Sequence, residues 1–300
     1  MATFSDMVDE VKTNLAGYTL RQDRITYLAN AGGISTSATT ITVGSSSNLA
    51  KGIVEVEDEL ILIDSFDKSA NTLNVMPGFG RGYQHSTVAT HAQYSPVILS
   101  PSFPRITIKQ AINDTINSVF PKLWKNAVTT FAFNPAQTTY QLPSNCEDVT
   151  QVTWEAIGPS KEWIPVKRWR ADQMANTTSF ASGQTVSIYD AITPGRTVQV
   201  YYKAMPSNLS ANSDEFVATT GLPATARDVI TLGAASKMLS FIDAGRINLT
   251  SAEADSADSK IPSTAAATNS KYIYALFQQR LNEENARLLG QHPTTPHYTR

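Results

Sequence analysis

Residues 78–97 read GFGRGYQHSTVATHAQYSPV, and this stretch combines three glycines with two of the four histidines of the 300-residue chain. Three kinds of structure use such a pattern: a phosphate-binding loop, a metal site, or the turn-rich end of a small β-domain. The choice among them decides whether the protein is interpreted as an enzyme or as a structural subunit.

The glycine spacing does not fit a phosphate-binding loop. A dinucleotide fingerprint needs Gly-x-Gly-x-x-Gly between a strand and a helix, but Tyr83 follows the last glycine of this run. A Walker-type loop is excluded because the chain contains no Gly-Lys-Ser/Thr. Glycine also permits positive φ in the turns and bulges of a β-domain. The sequence therefore predicts a structural turn motif formed by Gly78, Gly80, Arg81, Gly82 and His91.

Metal and cofactor binding are not predicted. His85 and His91 are six residues apart, whereas metal ligands usually lie two apart on a strand or four apart on a helix. Hydrogen bonds from histidine to the backbone, which would rigidify the loop, are the expected alternative. The single cysteine, Cys146, excludes an intrachain disulfide and a Cys-rich zinc site, and we expect it to be a small buried apolar residue.

Two groups of carboxylates are candidates for acid–base or calcium chemistry. Residues 57–59 read Glu-Asp-Glu, and adjacent carboxylates in a turn are expected to form a solvated corner. Glu253, Asp255 and Asp258 lack the glycine and the terminal glutamate of an EF-hand. Because Gly-x-Ser-x-Gly is also absent, the sequence predicts no catalytic residues and no enzyme. A polysaccharide- or wall-cleaving hydrolase using Glu59 or Asp64 is the enzymatic alternative.

The charge balance disfavours general nucleic-acid binding. Charged residues make up 17% of the chain and the formal net charge is −2, whereas phosphate contacts need an excess of lysine and arginine. One basic and aromatic run, KEWIPVKRWR, fits three interpretations: nucleic-acid stacking, a strand with one buried and one cationic face, or an inter-subunit contact. Its members are Lys161, Trp163, Lys167, Arg168, Trp169 and Arg170. No apolar stretch reaches the roughly 18 residues of a membrane span, and no signal peptide is recognised, so we expect synthesis in a cytosol.

Apolar periodicity alternates between helical and β patterns. The stretch TIKQAINDTINSVF keeps a 3.6-residue period, whereas residues 25–100 and 127–203 contain short β-branched runs separated by turn residues. We predict an α+β fold with a bundle of about four helices. The bundle would comprise residues 1–24, 101–126 and 221–289, with an inserted β-barrel-like domain at 25–100 and an antiparallel β-module at 127–220. An extended C-terminal arm is predicted at 290–300, where two prolines interrupt any periodicity.

Two stretches resemble a known family. The run GRGYQHSTVATHAQYSPV is similar to a turn–strand motif of structural proteins in tailed bacteriophages. The stretches ITIKQAINDTINSVFPKLW and LPATARDVITLGAASKMLSFIDAGR resemble the helical core of phage head-to-tail adaptor (connector) proteins. The residues that match the turn–strand motif are Arg81, Gly82, Ser86, Thr87, His91, Ser95 and Val97.

This resemblance implies a ring, of twelve copies, below the portal of the capsid in the virion neck. It implies double-stranded DNA passing through the lumen, a downstream neck or tail protein contacting the β-modules, and assembly in the host cytoplasm without a membrane. The alternative is a tail, baseplate or fibre protein whose 25–100 module binds another tail component or a host glycan. In the adaptor interpretation the arm docks on the portal through His292, Pro293, Pro296, His297, Tyr298 and Arg300.

Overall fold

The computed structural model describes residues 2–17, 23–158, 162–239 and 265–294. Within these ranges the chain is a mixed α and β protein with five α-helices and three antiparallel sheets. It forms two compact units. The first comprises Met1–Phe4, Thr115–Ile230 and Ala275–Arg300, and the second Ser5–Asp114 and Thr231–Tyr274. The predicted mixture of helices with antiparallel β-modules is confirmed, whereas the four-helix bundle stays a prediction.

The helices follow the apolar periodicity of the sequence. Helix α1 buries one stripe at a 3.6-residue period, and α4 is buried on most of its surface, as its sequence predicts. Helix α2 ends before Pro121, which cannot continue a helix. Helix α5 extends to Gln291, so the first two residues of the predicted arm are helical. The helices are α1 (Phe4–Ala16), α2 (Arg105–Ser118), α3 (Phe216–Thr220), α4 (residues 227–239) and α5 (Ala265–Gln291).

The second unit contains a six-stranded half-barrel. Its strand order is β1-β6-β3-β4-β5-β2, and every pairing is antiparallel. The two outer strands meet where they end, because Leu28 and Val43 form a bridge and the Ala29 amide donates to the Thr42 carbonyl at 2.8 Å. The sheet therefore curls around a core of aliphatic side chains. The strands are β1 (Arg24–Tyr27), β2 (Thr40–Thr42), β3 (Gly52–Val56), β4 (Glu59–Asp67), β5 (Thr72–Val75) and β6 (Pro96–Leu99).

The first unit contains two antiparallel sheets that share one core. A four-stranded sheet has the order β10-β9-β13-β7, and a three-stranded sheet has the order β11-β12-β8. Buried residues from both, such as Val200 on β13 and Trp169 on β11, belong to a single hydrophobic cluster. The strands are β7 (Lys125–Ala132), β8 (Thr139–Gln141), β9 (Asp148–Glu155), β10 (Trp163–Pro165), β11 (Trp169–Asp172), β12 (Thr185–Ile188) and β13 (Thr197–Ala204).

One glycine fixes the approach of two loops in the half-barrel. Ile34 and His91 form an isolated antiparallel bridge, with the Ile34 amide 2.9 Å from the His91 carbonyl oxygen. Next to this bridge, Gly33 has a φ of +86°, and a Cβ built there would lie 2.1 Å from the same oxygen. Only glycine allows this approach, because any side chain would collide with backbone that is already hydrogen-bonded.

We expect Gly33→Ala to destabilise the protein more than Gly32→Ala. Both glycines have positive φ, so each alanine would lose about 1–2 kcal/mol from the left-handed backbone conformation. Only the Gly33 substitution also meets the His91 carbonyl, since a Cβ on Gly32 has no atom within 4 Å. Urea unfolding of the two variants measures the difference, and equal losses of stability would contradict this account of the bridge.

Candidate functional site

The residues of the turn motif converge on one buried carboxylate, that of Glu59 at the start of β4. The Arg81 guanidinium binds it with both arms of its fork, Nε at 2.7 Å from Oε1 and Nη2 at 2.9 Å from Oε2. Backbone amides of Gly82 and Ala89 each donate at 3.0 Å. The Glu59 side chain has no exposed surface. Its charge is therefore compensated by a bidentate arginine, which is the strongest geometry for a carboxylate.

His91 lies between two carboxylates. Its Nε2 is 2.8 Å from Oε2 of Glu59, and its Nδ1 is 2.9 Å from Oε2 of Glu57. A carboxylate only accepts hydrogen bonds, so this geometry favours the protonated imidazole, in which both ring nitrogens donate. The second oxygen of Glu57 accepts from the Ser95 hydroxyl at 3.0 Å. His91 thus joins the turn between β3 and β4 to the segment that leads into β6.

Arg81 also joins separate segments through backbone carbonyls. Its Nη1 donates to the Ser35 carbonyl at 2.6 Å, and its Nη2 donates to the Ala89 carbonyl at 2.7 Å. A neighbouring hydroxyl, that of Ser86, accepts from the Leu60 amide at 2.9 Å and donates to the Tyr83 carbonyl at the same distance. The motif therefore closes the loops around one end of the half-barrel. We call Arg81, Glu59, His91 and Glu57 the charged cluster.

The environment shifts the pKa values of Glu59 and His91 in opposite directions. Burial alone would raise the pKa of Glu59, but hydrogen bonds from Arg81, His91 and two backbone amides outweigh it and lower that pKa to about 2. Burial would lower the pKa of His91, but its hydrogen bonds with Glu59 and Glu57 outweigh this and raise it. Both shifts favour the charged forms, so near neutral pH the cluster holds compensating charges.

The prediction of a solvated corner at residues 57–59 is wrong for Glu59. The residue is 1% exposed, as is Glu55 on β3, whereas the Glu57 side chain is half exposed. The compensating groups come from residues 81–91, which no adjacency in the sequence could reveal. Burial raises the pKa of Glu55, although the Arg105 amide and Lys12 oppose this.

The glycines and His85 have separate roles around the cluster. Gly78 and Gly82 have φ values of +87° and +62°, in the region that favours glycine. Gly80 is restricted by space, since a Cβ there would lie 2.5 Å from the Met76 carbonyl. His85 is exposed with a φ of 63°. The two histidines of the opening stretch therefore do not converge, and His91 alone joins the cluster, through carboxylates rather than backbone groups.

The sequence-based predictions missed a second ionic network, at the start of α2. Arg105 binds Asp58 at 3.2 Å, the Ser5 hydroxyl at 2.9 Å and the Asp9 carboxylate. Lys109, one turn further along α2, binds the other oxygen of Asp58 at 2.7 Å. A basic pair on a helix four residues apart, facing an acidic turn, is the pattern that could have indicated it.

The basic and aromatic run does not form one uniform surface. Trp169 is buried in the shared core at 2% exposure, whereas Trp163 is 37% exposed on β10. Arg168 pairs with Asp190, with Nε 2.9 Å from Oδ1. Lys161 lies outside the described residues. Of the three interpretations, a strand with one buried and one cationic face is wrong for β10, since all three of its residues are exposed.

The remaining residues named from the sequence fall in different places. His292 accepts a hydrogen bond at Nδ1 from the side-chain amide of Asn126 at 3.1 Å. Pro293 is exposed. Cys146 is buried, and burial together with the nearby Asp148 and Glu147 raises the pKa of its thiol to about 12. Other named residues lie outside the described residues, namely Pro296, His297, Tyr298, Arg300, Glu253, Asp255 and Asp258.

Within the charged cluster, Glu59 and His91 crosslink loops and are turned toward protein partners. Both oxygens of Glu59 and both nitrogens of His91 are occupied by protein partners, whereas a general acid or base must face a substrate. Among the described residues, no three His, Cys, Asp or Glu side chains are placed to hold a metal ion. No helix in the described ranges is long and apolar enough to cross a membrane.

These features describe a turn motif that shapes a β-domain. The family described as SU10 adaptor protein matches residues 87–296, more than two thirds of the chain. The chain therefore belongs to this family of phage adaptor proteins, as the resemblance in sequence predicts. The matched region begins within the turn motif and includes His91, both sheets of the first unit and α5. A search of curated proteins found no match.

We expect Arg81→Met to destabilise the protein by about 3–5 kcal/mol, because breaking a buried pair leaves the Glu59 charge without its bidentate partner. Arg168→Met is the matched control. It removes an exposed pair with Asp190, whose loss should cost only about 0–1 kcal/mol. Urea unfolding at neutral pH measures both. Similar losses in the two variants would show that the Arg81 pair contributes no more than a surface ion pair.

His91 should make stability depend on pH in the neutral to alkaline range. Its pKa in the folded protein is raised above the ordinary value of 6.5. The resulting stabilisation is complete below that value and is lost as pH rises through the folded-state pKa. We therefore expect the urea midpoint of the wild type to fall more steeply above pH 6.5 than that of His91→Gln. His85→Gln, at an exposed histidine, should keep the wild-type profile.

Glu59 should make the stability of the protein fall at acidic pH. Because its pKa is lowered to about 2, its contribution is complete above the ordinary value of 4.5 and is lost as pH falls toward 2. The same series of urea midpoints, measured against pH, covers this range.

For the His91 prediction, parallel profiles of His91→Gln and the wild type above pH 6.5 would contradict the protonated imidazole.

Proposed function

We propose that this protein is the neck adaptor of a tailed phage and acts without catalysis. Twelve copies form a ring that joins the portal of the capsid to the tail and lets double-stranded DNA pass. The observation that carries this proposal is the family match, which extends over both β-sheets of the first unit and over α5. The charged cluster, in which Glu59 and His91 bind protein partners, supports a role in holding the shape of the half-barrel rather than in catalysis. A bundle of α1, α2, α4 and α5 as the scaffold of each copy belongs to the same proposal.

The C-terminal arm is the proposed portal contact. Helix α5 ends at Gln291, and Pro293 and Thr294 are exposed. His292 is held by Asn126, which fixes the point where the arm leaves the first unit. A proline-containing segment loses little backbone entropy when it lies in a groove of a partner. The residues proposed to contact the portal are His292, Pro293, Pro296, His297, Tyr298 and Arg300.

The charge balance suits a channel that releases DNA. Cation–phosphate contacts release counterions and hold DNA strongly, but this chain carries a formal net charge of −2 and only 17% charged residues. Arg168 and Lys203, two of its basic side chains in the first unit, already pair with Asp190 and Asp148. A ring of such subunits would let DNA move through the neck without retaining it. Assembly in the host cytoplasm completes the proposal.

The half-barrel is the proposed contact with the downstream neck or tail protein. It exposes two aromatic rings, Tyr27 at 46% and Tyr94 at 70%, whose centroids are 5.8 Å apart. Tyr27 is held in place because its ring lies directly over Gly44, where a Cβ would come within 2.2 Å of it. Aromatic side chains of this kind supply contact area at low entropic cost.

The same aromatic pair favours a second candidate function. Tyrosine rings that are exposed and fixed also stack on sugars, so a tail, baseplate or fibre protein could use Tyr27 and Tyr94 to bind a host glycan. Electron microscopy of particles assembled without the protein separates the two functions. Loss of an adaptor should give heads without joined tails, whereas loss of a fibre protein should give complete particles that do not adsorb.

Deletion of residues 293–300 tests the adaptor proposal directly. Because the deletion begins after α5, the truncated protein should unfold at the same urea concentration as the full chain but fail to attach to purified portal. Met174→Ser, at a residue 92% exposed in a loop of the first unit, is the control and should attach normally. Attachment of the truncated protein at the wild-type level would remove the arm from the portal contact.

A further inference from the structure

Strand β7 leaves a row of backbone groups open at the edge of the four-stranded sheet. Among the described residues it pairs with β13 alone, in an unbroken register from Lys125 opposite Ala204 to Ala132 opposite Thr197. Just beyond the strand, the Phe133 amide donates to the Arg196 carbonyl at 2.8 Å. Backbone groups alternate in direction along an antiparallel strand. The odd-numbered residues of β7 therefore face β13, and the even-numbered residues point their N–H and C=O groups outward.

The open edge carries none of the features that usually protect edge strands. The four outward-facing residues are Asn126, Val128, Thr130 and Ala132; all have exposed side chains, and none is charged. The strand has eight residues, no proline and no bulge. Natural edges are instead kept short, charged, bulged or interrupted by proline, because an unprotected edge pairs with another chain.

Other outer strands of the two sheets in the first unit do carry such protection. Strand β10 has three residues, including Pro165, and β8 also has three. Strand β11 has four residues and carries the charges of Arg170 and Asp172. Among the described strands of this unit, β7 is therefore the edge best suited to accept a further strand.

We propose that β7 is a self-association edge: in the free protein it pairs antiparallel with β7 of a second copy. A two-fold axis at Thr129 would place Val128 opposite Thr130 of the second copy and Asn126 opposite Ala132. All four of these residues direct their backbone groups outward. The pairing would therefore satisfy the open backbone groups of both copies at once. Opposed residues would also share a face of the sheet, as an antiparallel pair requires.

Side-chain chemistry selects a second copy as the occupant. On the inner face, Ala127 would lie opposite Phe131 of the other chain, and both residues already pack against the core of their own unit. The only charge on the strand, Lys125, would lie opposite Phe133, and the two lysines would be roughly 27 Å apart at 3.4 Å per residue. The edge is thus complementary to itself in hydrogen bonding, face and charge.

This pairing is separate from the proposed ring. A two-fold contact uses the same patch on both copies and closes on itself, whereas a ring needs a head-to-tail contact between two different patches. The β7 pair would therefore belong to the protein before it docks. Failure of this inference leaves the adaptor proposal intact, because portal attachment is measured independently.

A charge pattern on β7 tests the proposal. In the double variant Val128→Lys, Thr130→Lys, lysines would face lysines across the pair at two symmetric positions and should raise the dimer Kd by about tenfold. In the matched variant Val128→Lys, Thr130→Glu, each lysine would face a glutamate, and dimerisation should return. Both positions are exposed, so circular dichroism and urea unfolding should show that the two variants fold alike.

Sedimentation equilibrium of the full chain without portal gives the result. A wild-type dimer that is weakened by the double-lysine variant and restored by the lysine–glutamate variant supports the proposal. A wild-type protein that stays monomeric at every concentration overturns it. A double-lysine variant that dimerises like the wild type also overturns it, because the contact would then lie elsewhere. A lysine–glutamate variant that dimerises as weakly as the double-lysine variant overturns the proposed register of the β7 pair.

Discussion

The half-barrel depends on keeping one buried carboxylate charged. Removing an isolated carboxylate from water is so costly that it would normally become protonated, yet the pKa of Glu59 is lowered to about 2. Two side chains and two backbone amides make this possible, and they come from a segment that the glycines of the turn motif bend into place. Arg81 and His91 are therefore needed where they are because Glu59 is buried. The glycines are needed because they bring those two side chains within reach.

The acidic turn between β3 and β4 organises the second unit in two directions. Glu57 and Glu59 bind His91 and Arg81 from the loops of the half-barrel. Asp58, between them in the sequence, binds Arg105 and Lys109 on α2 instead. Glu57 and Asp58 form the turn itself, with Glu57 at a φ of 54°, and the chain reverses direction there. Three adjacent carboxylates can therefore reach two different sets of partners. The same three residues thus join the loops and the helix of this unit.

Sequence periodicity predicted elements that depend on local patterns, and it failed where distant residues decide. The stripe of α1, from Phe4 to Leu15, follows from 3.6-residue spacing alone, and the β-branched runs of residues 25–100 gave the half-barrel. The burial of Glu59 depends on Arg81, 22 residues away, and on His91, 32 residues away. The open edge of β7 depends on strand order, which local periodicity does not predict.

Buried groups such as the carboxylate of Glu59 and the imidazole of His91, whose oxygens and nitrogens all have protein partners, can hold a shape but do not face a ligand. Capacity for binding lies where groups remain unpaired. In the described residues of the first unit these are the backbone edge of β7 and the exposed start of the arm at Pro293. In the second unit the exposed rings of Tyr27 and Tyr94 are such a place. An assembly protein needs its internal crosslinks and its binding surfaces to be separate, because a subunit must reach its partner with its own loops already fixed. Within residues 78–97, Arg81 and His91 then hold the loops in place, whereas the exposed ring of Tyr94 is available for contacts.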